Sequence, residues 1–318
     1  MPAARIRIGV SSCLIGTPVR YDGRHKRNAF VADVLARHVE LVPVCPELEL
    51  GLGVPREPIR LVGRAAAPRL VGERSGRDHT AAMRAFARAR VAALAREGLS
   101  GFVTKKDSPS CGMERVRLHP ERGGPPRRDG VGAFARELLA ALPLLPVEEE
   151  GRLEEPALRE SFLERVFAYA RWRRARPGRM TRGGLVAFHA AHELLLRAHG
   201  PAACRRLDRL VAGAGAGPLG PVLEAYGAGL MTVLRTPATR GRHAAVLRHV
   251  AGHLRGLLAD GAREELEEAI GEYARGRVPL IVPQALLLRH ARRHRVACLA
   301  GQVYLDPDPR ERALRSGG

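Results

Sequence analysis

The stretches RIRIGVSSC (residues 5–13), VELVPVC (residues 39–45) and GFVT (residues 101–104) decide the fold of this chain. Each is short, rich in β-branched residues and followed by small polar residues or proline, a pattern that predicts β-strands. Helix-like stretches separate them at residues 28–38 and 79–97, and another follows at residues 132–141. Alternating strands and helices favour a parallel sheet with right-handed crossovers. We therefore predict an α/β N-terminal domain of the doubly wound, Rossmann-like type.

The rest of the chain is predicted to be a linker and a helical region. Residues 54–75, rich in Pro, Arg and Gly, predict a long loop or a short hairpin over one end of the sheet, and residues 144–156 (LLPVEEEGRLEEP) predict a linker. Helix-like stretches separated by Gly or Pro then indicate an all-α helical-bundle domain. They lie at residues 157–174, 185–199, 202–211, 221–234, 240–258, 263–275 and 283–294. The predicted domains are residues 1–148 and 157–318.

The chain is strongly basic. Its 318 residues carry a formal net charge of +20, which favours a polyanionic partner such as RNA or DNA. The only lysines are Lys26, Lys105 and Lys106, so nearly all the positive charge is arginine. In a chain also rich in Ala, Gly and Pro, this is equally typical of compositional bias. Charge alone therefore leaves both interpretations open.

The cysteine content indicates a reducing compartment. Five cysteines at wide, irregular spacing do not form a disulfide framework of the secreted kind. The apolar run near the N-terminus is too short for a membrane span and lacks a cleavage signal. We expect a cytoplasmic protein with no membrane association.

Three of the cysteines follow predicted strands. Cys13, Cys45 and Cys111 each come after the carboxyl end of a strand, in the segments SSCLIG, VCPE and SPSCG. Ligands of open parallel sheets bind outside these ends, so the three thiols are expected to converge at one site. Cys204 and Cys298 lie on apolar faces of predicted helices and are interpreted as packing residues.

Three converging thiolates allow two kinds of inorganic site. A structural zinc needs four ligands, and His25 could complete a Cys₃His set. A [4Fe–4S] cluster held by three cysteines leaves one iron open, and an open iron can act as a Lewis acid towards a substrate sulfur. Both remain possible from the residues alone.

Three motifs carry a family resemblance. CLIGTPVRYDGRHKRN (residues 13–28), LVPVCPELELGLGVPREPIRLV (residues 41–62) and KKDSPSCG (residues 105–112) together resemble the thiouracil desulfurase family, in order, over about residues 5–145. LVAFHAAHELLLRAHG (residues 185–200) and LRHVAGHLRG (residues 247–256) look like a YbgA-type helical domain. The combination resembles desulfidases that convert 4-thiouridine in tRNA to uridine.

The resemblance implies an enzyme that cleaves a C–S bond with a [4Fe–4S] cluster held by Cys13, Cys45 and Cys111. The open iron would bind the substrate sulfur while water attacks the ring carbon. Glu47 and Ser108 would be catalytic, with Glu47 activating water or moving a proton. The alternatives are a solvated loop glutamate and a serine that caps a turn.

Further residues are expected to bind substrate. They are Ser12, Arg20 for a charged contact, Tyr21 for stacking on a base, Asp22 for a donor on the ring or ribose, and Lys105 for a phosphate or the thiolate charge. An Asp-Gly turn is the alternative at Asp22, and either Lys105 or Lys106 could face the site. The arginine-rich helical domain is expected to bind tRNA, with no obligatory protein partner.

Other functions remain open. The chain could desulfurise free thiouracil or thionucleosides, or it could be a non-enzymatic iron–sulfur or zinc protein that binds RNA or acts as a sensor. The pairs His189/His192 and His249/His253 have helical spacing, which we interpret as packing or phosphate contacts in preference to a metal site.

Overall fold

The computed structural model describes residues 5–176, 178, 180–215 and 217–316. The chain divides into two compact units between Phe162 and Leu163. The first unit contains two β-sheets and the second is helical. Together they confirm the predicted order of an α/β region followed by an all-α region.

The first unit is built from short elements. Its strands are β1 (Arg7–Ser11), β2 (Glu40–Val44), β3 (Ile59–Arg64), β4 (Ala67–Gly72), β5 (Gly101–Thr104), β6 (Val116–His119), β7 (Arg127–Gly130) and β8 (Val147–Glu149). Its helices are α1 (Pro46–Glu49), α2 (Thr80–Glu97) and α3 (Ala133–Ala141). Residues 28–38 do not form the expected α-helix, because the chain there makes a π-turn over Phe30–Val34 and a 3₁₀ turn over Leu35–Arg37.

The first sheet is wholly parallel, with the strand order β2-β1-β5-β8. Ile8 and Val10 of β1 are fully buried in its core. Gly9 lies between them, where an added Cβ would come within 2.2 Å of the Phe102 ring on β5. A larger residue would therefore separate the two central strands.

The linker predicted at residues 144–156 is wrong. The segment forms β8 and a 3₁₀ turn over Arg152–Glu154. Residues 148–150 are three successive glutamates, a sequence that does not predict a strand, and the first two lie in β8. In the structure each of the three carboxylates has a partner. Glu148 binds Arg152, Glu149 accepts from the Met113 N–H at 3.0 Å, and Glu150 binds Lys105 at 2.6 Å. These partners make a buried acidic strand tolerable.

The second sheet has the order β4-β3-β6-β7. Strands β3 and β4 form an antiparallel hairpin. Residues 54–75 were expected to form either a long loop or a short hairpin, and the structure shows the hairpin. Strand β6 pairs parallel with β3, with Leu61 opposite Leu118 and Val62 opposite His119. The sequences of β6 (VRLH) and β7 (RRDG) are too short and polar to have been predicted as strands.

Helices make up the rest of the chain. They are α4 (Pro156–Ala175), α5 (Arg182–His199), α6 (Pro201–Ala212), α7 (Leu219–Leu234), α8 (Arg240–Leu254), α9 (Asp260–Ala274), α10 (Ile281–Arg293), α11 (Ala297–Ala300) and α12 (Pro309–Ser316). Thr181 and Thr239 cap α5 and α8 by accepting from the Gly184 and Arg242 N–H groups. None of the described helices is long and apolar enough to cross a membrane.

A buried ionic cluster lies among the helices of the second unit. Glu164 and His199 are almost fully buried and lie 2.9 Å apart, and Arg315 is 3.2 Å from the same carboxylate. Arg171 binds the buried Glu311 at 3.0 Å. The cluster connects α4, α5 and α12, because each buried charge needs an opposite one nearby.

Candidate functional site

A cavity of about 480 Å³ in the first unit is lined by Cys13, Cys45 and Cys111. Cys13 lies in a 3₁₀ turn directly after β1, Cys45 lies between β2 and α1, and Cys111 lies in the loop after β5. All three thiols are free. Because β1, β2 and β5 are parallel neighbours, their carboxyl ends bring these loops to one edge of the sheet.

Local backbone structure positions Cys13 and Cys111. Gly16 adopts a left-handed φ of 95° and its N–H bonds to the Ser12 carbonyl, which closes the turn that holds Cys13. In the third loop, the Ser108 hydroxyl accepts from the N–H groups of Ser110 and Cys111 at 3.3 and 3.1 Å. Ser108 thus has the geometry of a turn-forming serine at the base of the Cys111 loop.

The thiols are desolvated. Burial raises the pKa of Cys13 to about 11 and that of Cys111 to about 12, and it also raises the pKa of Cys45. The charge of Lys105 opposes the shift at Cys13. In the metal-free protein the thiols are therefore protonated at neutral pH, since a bare thiolate is costly to bury.

A fixed carboxylate lies beside the thiols. Arg56 donates its Nε to Oε2 of Glu47 at 2.9 Å and its Nη2 to the same oxygen. The Ser110 hydroxyl donates to Oε1 of Glu47 at 2.6 Å and lies 3.7 Å from the Cys111 sulfur. Both carboxylate oxygens are therefore held, and the side chain has one orientation in the cavity.

Sequence reasoning missed Arg56 and Ser110. Arg56 lies in the PREP segment and also donates to the Gly53 and Val19 carbonyls at 2.8 and 3.0 Å. Ser110 is the second serine of SPSCG, whereas Ser108 was the predicted catalytic serine. The Ser108 and Ser110 hydroxyls lie 3.1 Å apart, so they form a chain that ends at Glu47. The position of Ser110 directly before Cys111 was the available sequence signal.

Most of the predicted substrate-binding residues line the same cavity. They are Ser12, Arg20, Tyr21 and Lys105. The predicted catalytic residues Glu47 and Ser108 also line it, as does Lys106, the alternative to Lys105. Lys105 is held by Glu150. Asp22 and His25 are not among the lining residues. Asp22 accepts from the Arg24 N–H at 3.1 Å and lies 3.4 Å from Arg20, and His25 is exposed.

Further lining residues come from the second sheet. Arg60 of β3 and Arg117 and His119 of β6 line the cavity. Arg60 and Arg117 precede the paired residues Leu61 and Leu118, so they are neighbours on adjacent strands. The cavity is therefore lined by three thiols from loops of the first sheet and by two arginines from strands of the second sheet.

A second cavity, of about 380 Å³, lies within the helical unit. Its lining residues include Arg197 of α5, Arg205 of α6, and Arg242 and His249 of α8. Arg197 binds Glu193 at 2.6 Å and Arg242 donates to the His199 carbonyl at 3.0 Å. The three arginines come from three helices and share the cavity lining with Asp208.

The predicted histidine pairs have other partners. His189 lies between the Tyr226 hydroxyl at 3.1 Å and Asp208 at 2.8 Å, and His192 contacts the Phe188 carbonyl at 2.7 Å. The His253 ring contacts the His249 carbonyl at 2.9 Å. Within the described residues no group of three or more His, Cys, Asp or Glu side chains could hold a single metal ion.

Comparison with known proteins identifies the family. Residues 8–150 match the 2-thiouracil desulfurase family. The chain belongs to this family. Residues 193–309 match a protein family of unknown function, DUF1722, so this desulfurase-family chain joins the two.

The relatives match different parts of the chain. It is 31% identical over 160 residues to the uncharacterized protein YbgA of Escherichia coli, covering 50% of this chain and 95% of that one. It is 37% identical over 109 residues to the uncharacterized protein YbbK of Bacillus subtilis, covering 32% and 71%. A solved structure named a [4Fe-4S]-dependent thiouracil desulfidase, TudS, is 32% identical and covers 49% of this chain and 99% of its own, with a TM-score of 0.40.

Proposed function

We propose that this chain is an iron–sulfur desulfidase that removes sulfur from a thiolated nucleobase. The observation that carries the proposal is the cavity in which Cys13, Cys45 and Cys111 face a carboxylate fixed by Arg56 and Ser110. Membership of the 2-thiouracil desulfurase family supports the same reaction class.

The three cysteines fit a cluster better than a single ion. A zinc site brings four ligands to within about 2.3 Å of one point, and no such group exists in the described part of the chain. His25, the expected fourth ligand, does not line the cavity. The thiolates of a [4Fe–4S] cluster bind different irons around a larger core, so three thiols on separate loops suit it. We propose that Cys13, Cys45 and Cys111 hold it.

The proposed reaction replaces a thiocarbonyl sulfur by oxygen from water and releases sulfide, with no net redox change. The bound cluster would supply an open iron, a soft Lewis acid for the substrate sulfur. Glu47 accepts a proton from the attacking water, and its fixed orientation keeps it ready to do so. The Ser110 hydroxyl is hydrogen-bonded to Glu47 and lies 3.1 Å from the Ser108 hydroxyl. These two hydroxyls can pass a proton from Glu47 back towards the base.

The residues at the rim suit a pyrimidine ring. Tyr21 is exposed at the cavity and can stack on a base, with Arg20 5.4 Å from its ring centre. Lys105, fixed by Glu150, and Ser12 lie beside the thiols. We retain Arg20, Tyr21, Ser12 and Lys105 as substrate-binding residues, and Asp22 as a residue that positions Arg20.

We further propose that the substrate is 4-thiouridine in tRNA. We also propose that a helical domain at residues 157–318 binds the tRNA. The cavity rimmed by Arg197, Arg205 and Arg242 supports this role, because guanidinium groups on three helices can contact phosphates together. Five free cysteines suit the reducing cytoplasm, where tRNA is found.

Loss of one thiol tests the desulfidase proposal. The Cys111→Ala protein, reconstituted anaerobically, is expected to bind less iron and to lose conversion of thiolated tRNA, followed as a fall in near-ultraviolet absorption. Cys298→Ala, which removes an exposed thiol that lines neither of the two cavities, is the matched control and should keep both. Full activity in Cys111→Ala would exclude the cluster assignment.

A pair of adjacent arginines on α6 tests the tRNA-binding role. Arg205 lines the helical cavity and Arg206 does not. Arg205→Ala should weaken tRNA binding and reduce its salt dependence by about one counterion, whereas Arg206→Ala should change it little. Equal affinities of the two variants in a filter-binding titration would contradict this role.

A desulfidase of free thiouracil or thionucleosides is the second candidate, favoured by the name of the solved TudS structure. Turnover of thiolated tRNA and of free 4-thiouracil by the same anaerobic preparation separates the two. Absence of turnover with every thiolated substrate, with the cluster intact, would instead favour a non-enzymatic sensor.

A further inference from the structure

The loop that carries Cys111 has an unfavourable backbone conformation near both of its ends. Asp107 has a left-handed φ of 60° and Arg115 a left-handed φ of 54°. Among the described residues, only three that are not glycine have a positive φ, and these two lie four residues before and four residues after Cys111. Such conformations persist only where the surrounding contacts hold them in place. The loop therefore needs strong contacts at each end.

Two adjacent glutamates supply these contacts. Glu149 is the last residue of β8, and Glu150 follows it. The two oxygens of Glu150 accept from the Lys105 ammonium and from the Lys106 N–H, each at 2.6 Å. Glu149 accepts from the Met113 N–H at 3.0 Å. One carboxylate thus binds the loop before Cys111, and its neighbour binds the loop after it.

Burial strengthens these contacts. The side chains of Glu150 and Lys105 are 12% and 18% exposed, and Glu149 is 5% exposed. Hydrogen bonds to a carboxylate are stronger than neutral ones, and shielding from solvent strengthens them further. The Ser11 hydroxyl of β1 also accepts from the Lys105 N–H, at 3.0 Å. The start of the loop is therefore tied to β1 and β8, the two strands that flank β5.

We propose that Glu149 and Glu150 form a clamp that positions Cys111 and Lys105 for their roles in the cavity. Neither glutamate is among the residues that line the cavity, so both act through the loop they hold. The clamp keeps the Cys111 thiol and the Lys105 ammonium in place before a cluster or a substrate binds. This inference rests on the proposed function for what the loop serves.

Amide hydrogen exchange, resolved by residue with mass spectrometry on the anaerobically reconstituted protein, tests the clamp. In Glu150→Gln the Lys106 amide should exchange about tenfold faster, because glutamine offers one acceptor oxygen to two donors. In Glu149→Ala the Met113 amide should exchange faster by a similar factor. Glu154→Gln, whose carboxylate binds a side chain outside the loop, is the matched control and should change neither rate. An unchanged rate at either amide in its own variant would overturn the proposal.

The iron content separates positioning from a purely structural role. Glu149→Ala should bind less iron per folded chain, because the Cys111 loop loses one of its two attachments. Glu149→Gln should restore both the iron content and the slow exchange, since its amide oxygen can still accept from the Met113 N–H. A purely structural role would lower the Tm of Glu149→Ala and leave the iron content of its folded chains unchanged. That result would overturn the positioning role.

The outcome is separable from that of the proposed function. If the exchange rates and iron contents change as expected, but the wild-type protein converts no thiolated substrate with its cluster bound, the clamp stands and the desulfidase proposal falls. If thiolated tRNA is converted while the Glu149 and Glu150 variants keep wild-type exchange rates and iron contents, the clamp falls and the proposed function stands.

Discussion

Replacing Arg56 is expected to damage the site more than the fold. Arg56 is 6% exposed and Glu47 is 14% exposed, so the ion pair is shielded from solvent. Arg56→Ala removes both donors to Oε2 of Glu47 and the bonds to two backbone carbonyls. Breaking a buried pair by removing one partner costs about 3–5 kcal/mol.

The stability change should be visible as a shift in Tm. At the lower figure of about 3 kcal/mol, a unit of this size loses roughly 6–12 °C. The loss of activity should be larger, because a carboxylate held only by Ser110 no longer has a fixed orientation. A displacement of about 1 Å in a catalytic group can cost about 100-fold in rate.

The assay compares the initial rate of desulfurisation with the iron content of each preparation. Arg56→Ala should retain iron and lose about 100-fold in rate, and Arg56→Lys should recover part of the rate by restoring one charge. Arg90→Ala is the matched control, since Arg90 binds Glu49 and Glu97 at 3.0 and 2.9 Å without touching Glu47. A wild-type rate and Tm in Arg56→Ala would refute the idea that Arg56 positions Glu47.

Two other perturbations give measurable outcomes. Burial lowers the pKa of His243 from 6.5 to about 4, so the unfolded chain binds a proton that the folded chain does not, and stability is lost as pH falls below 6.5. At pH 5 the loss of unfolding free energy is about 2 kcal/mol, from about 1.4 kcal/mol per pH unit. Chemical denaturation should therefore show that the unfolding free energy of His243→Phe depends less on pH than that of the control His253→Asn. Equal pH dependences of the two variants would contradict the assignment. In the first unit, Gly132→Ala places a Cβ 2.5 Å from the Ser110 carbonyl oxygen and 2.9 Å from the Gly112 nitrogen. It should displace the Cys111 loop and lower the iron content, whereas Gly252→Ala, with no atom within 4 Å of the new Cβ, should not. Full iron occupancy in Gly132→Ala would show that the loop can adjust.

The fold was predictable where burial leaves an apolar pattern in the sequence. Strands β1 and β5 bury apolar residues and β2 is rich in valine and leucine, so the positions of all three could be predicted to within two residues. Strand β8 could not, because it contains Glu148 and Glu149, and the partner of Glu149, the Met113 N–H, is distant in sequence. Strands β6 and β7 carry exposed charges, and they are ordered by pairing, β6 with β3 and β7 with β6.

The convergence of the three thiols could be predicted from the sequence, whereas the contacts of the residues around them could be predicted less well. The carboxyl ends of neighbouring parallel strands lie at the same edge of a sheet, whatever the conformation of the loops. The convergence of Cys13, Cys45 and Cys111 therefore follows from the strand topology. The contacts of Glu47 depend on loop geometry instead. Arg56 reaches it across nine residues and Ser110 across sixty-three, and no local pattern specifies either contact.

The cavity is lined by residues from two separate β-sheets, and this affects how its substrate specificity can change. Its thiols come from loops of the parallel sheet, whereas Arg60 and Arg117 in its lining come from β3 and β6. Substitutions at Arg60 or Arg117 can therefore change which molecules are accepted without altering the thiols. A mutant library restricted to these two strands would explore new substrates while inheriting the sulfur chemistry unchanged.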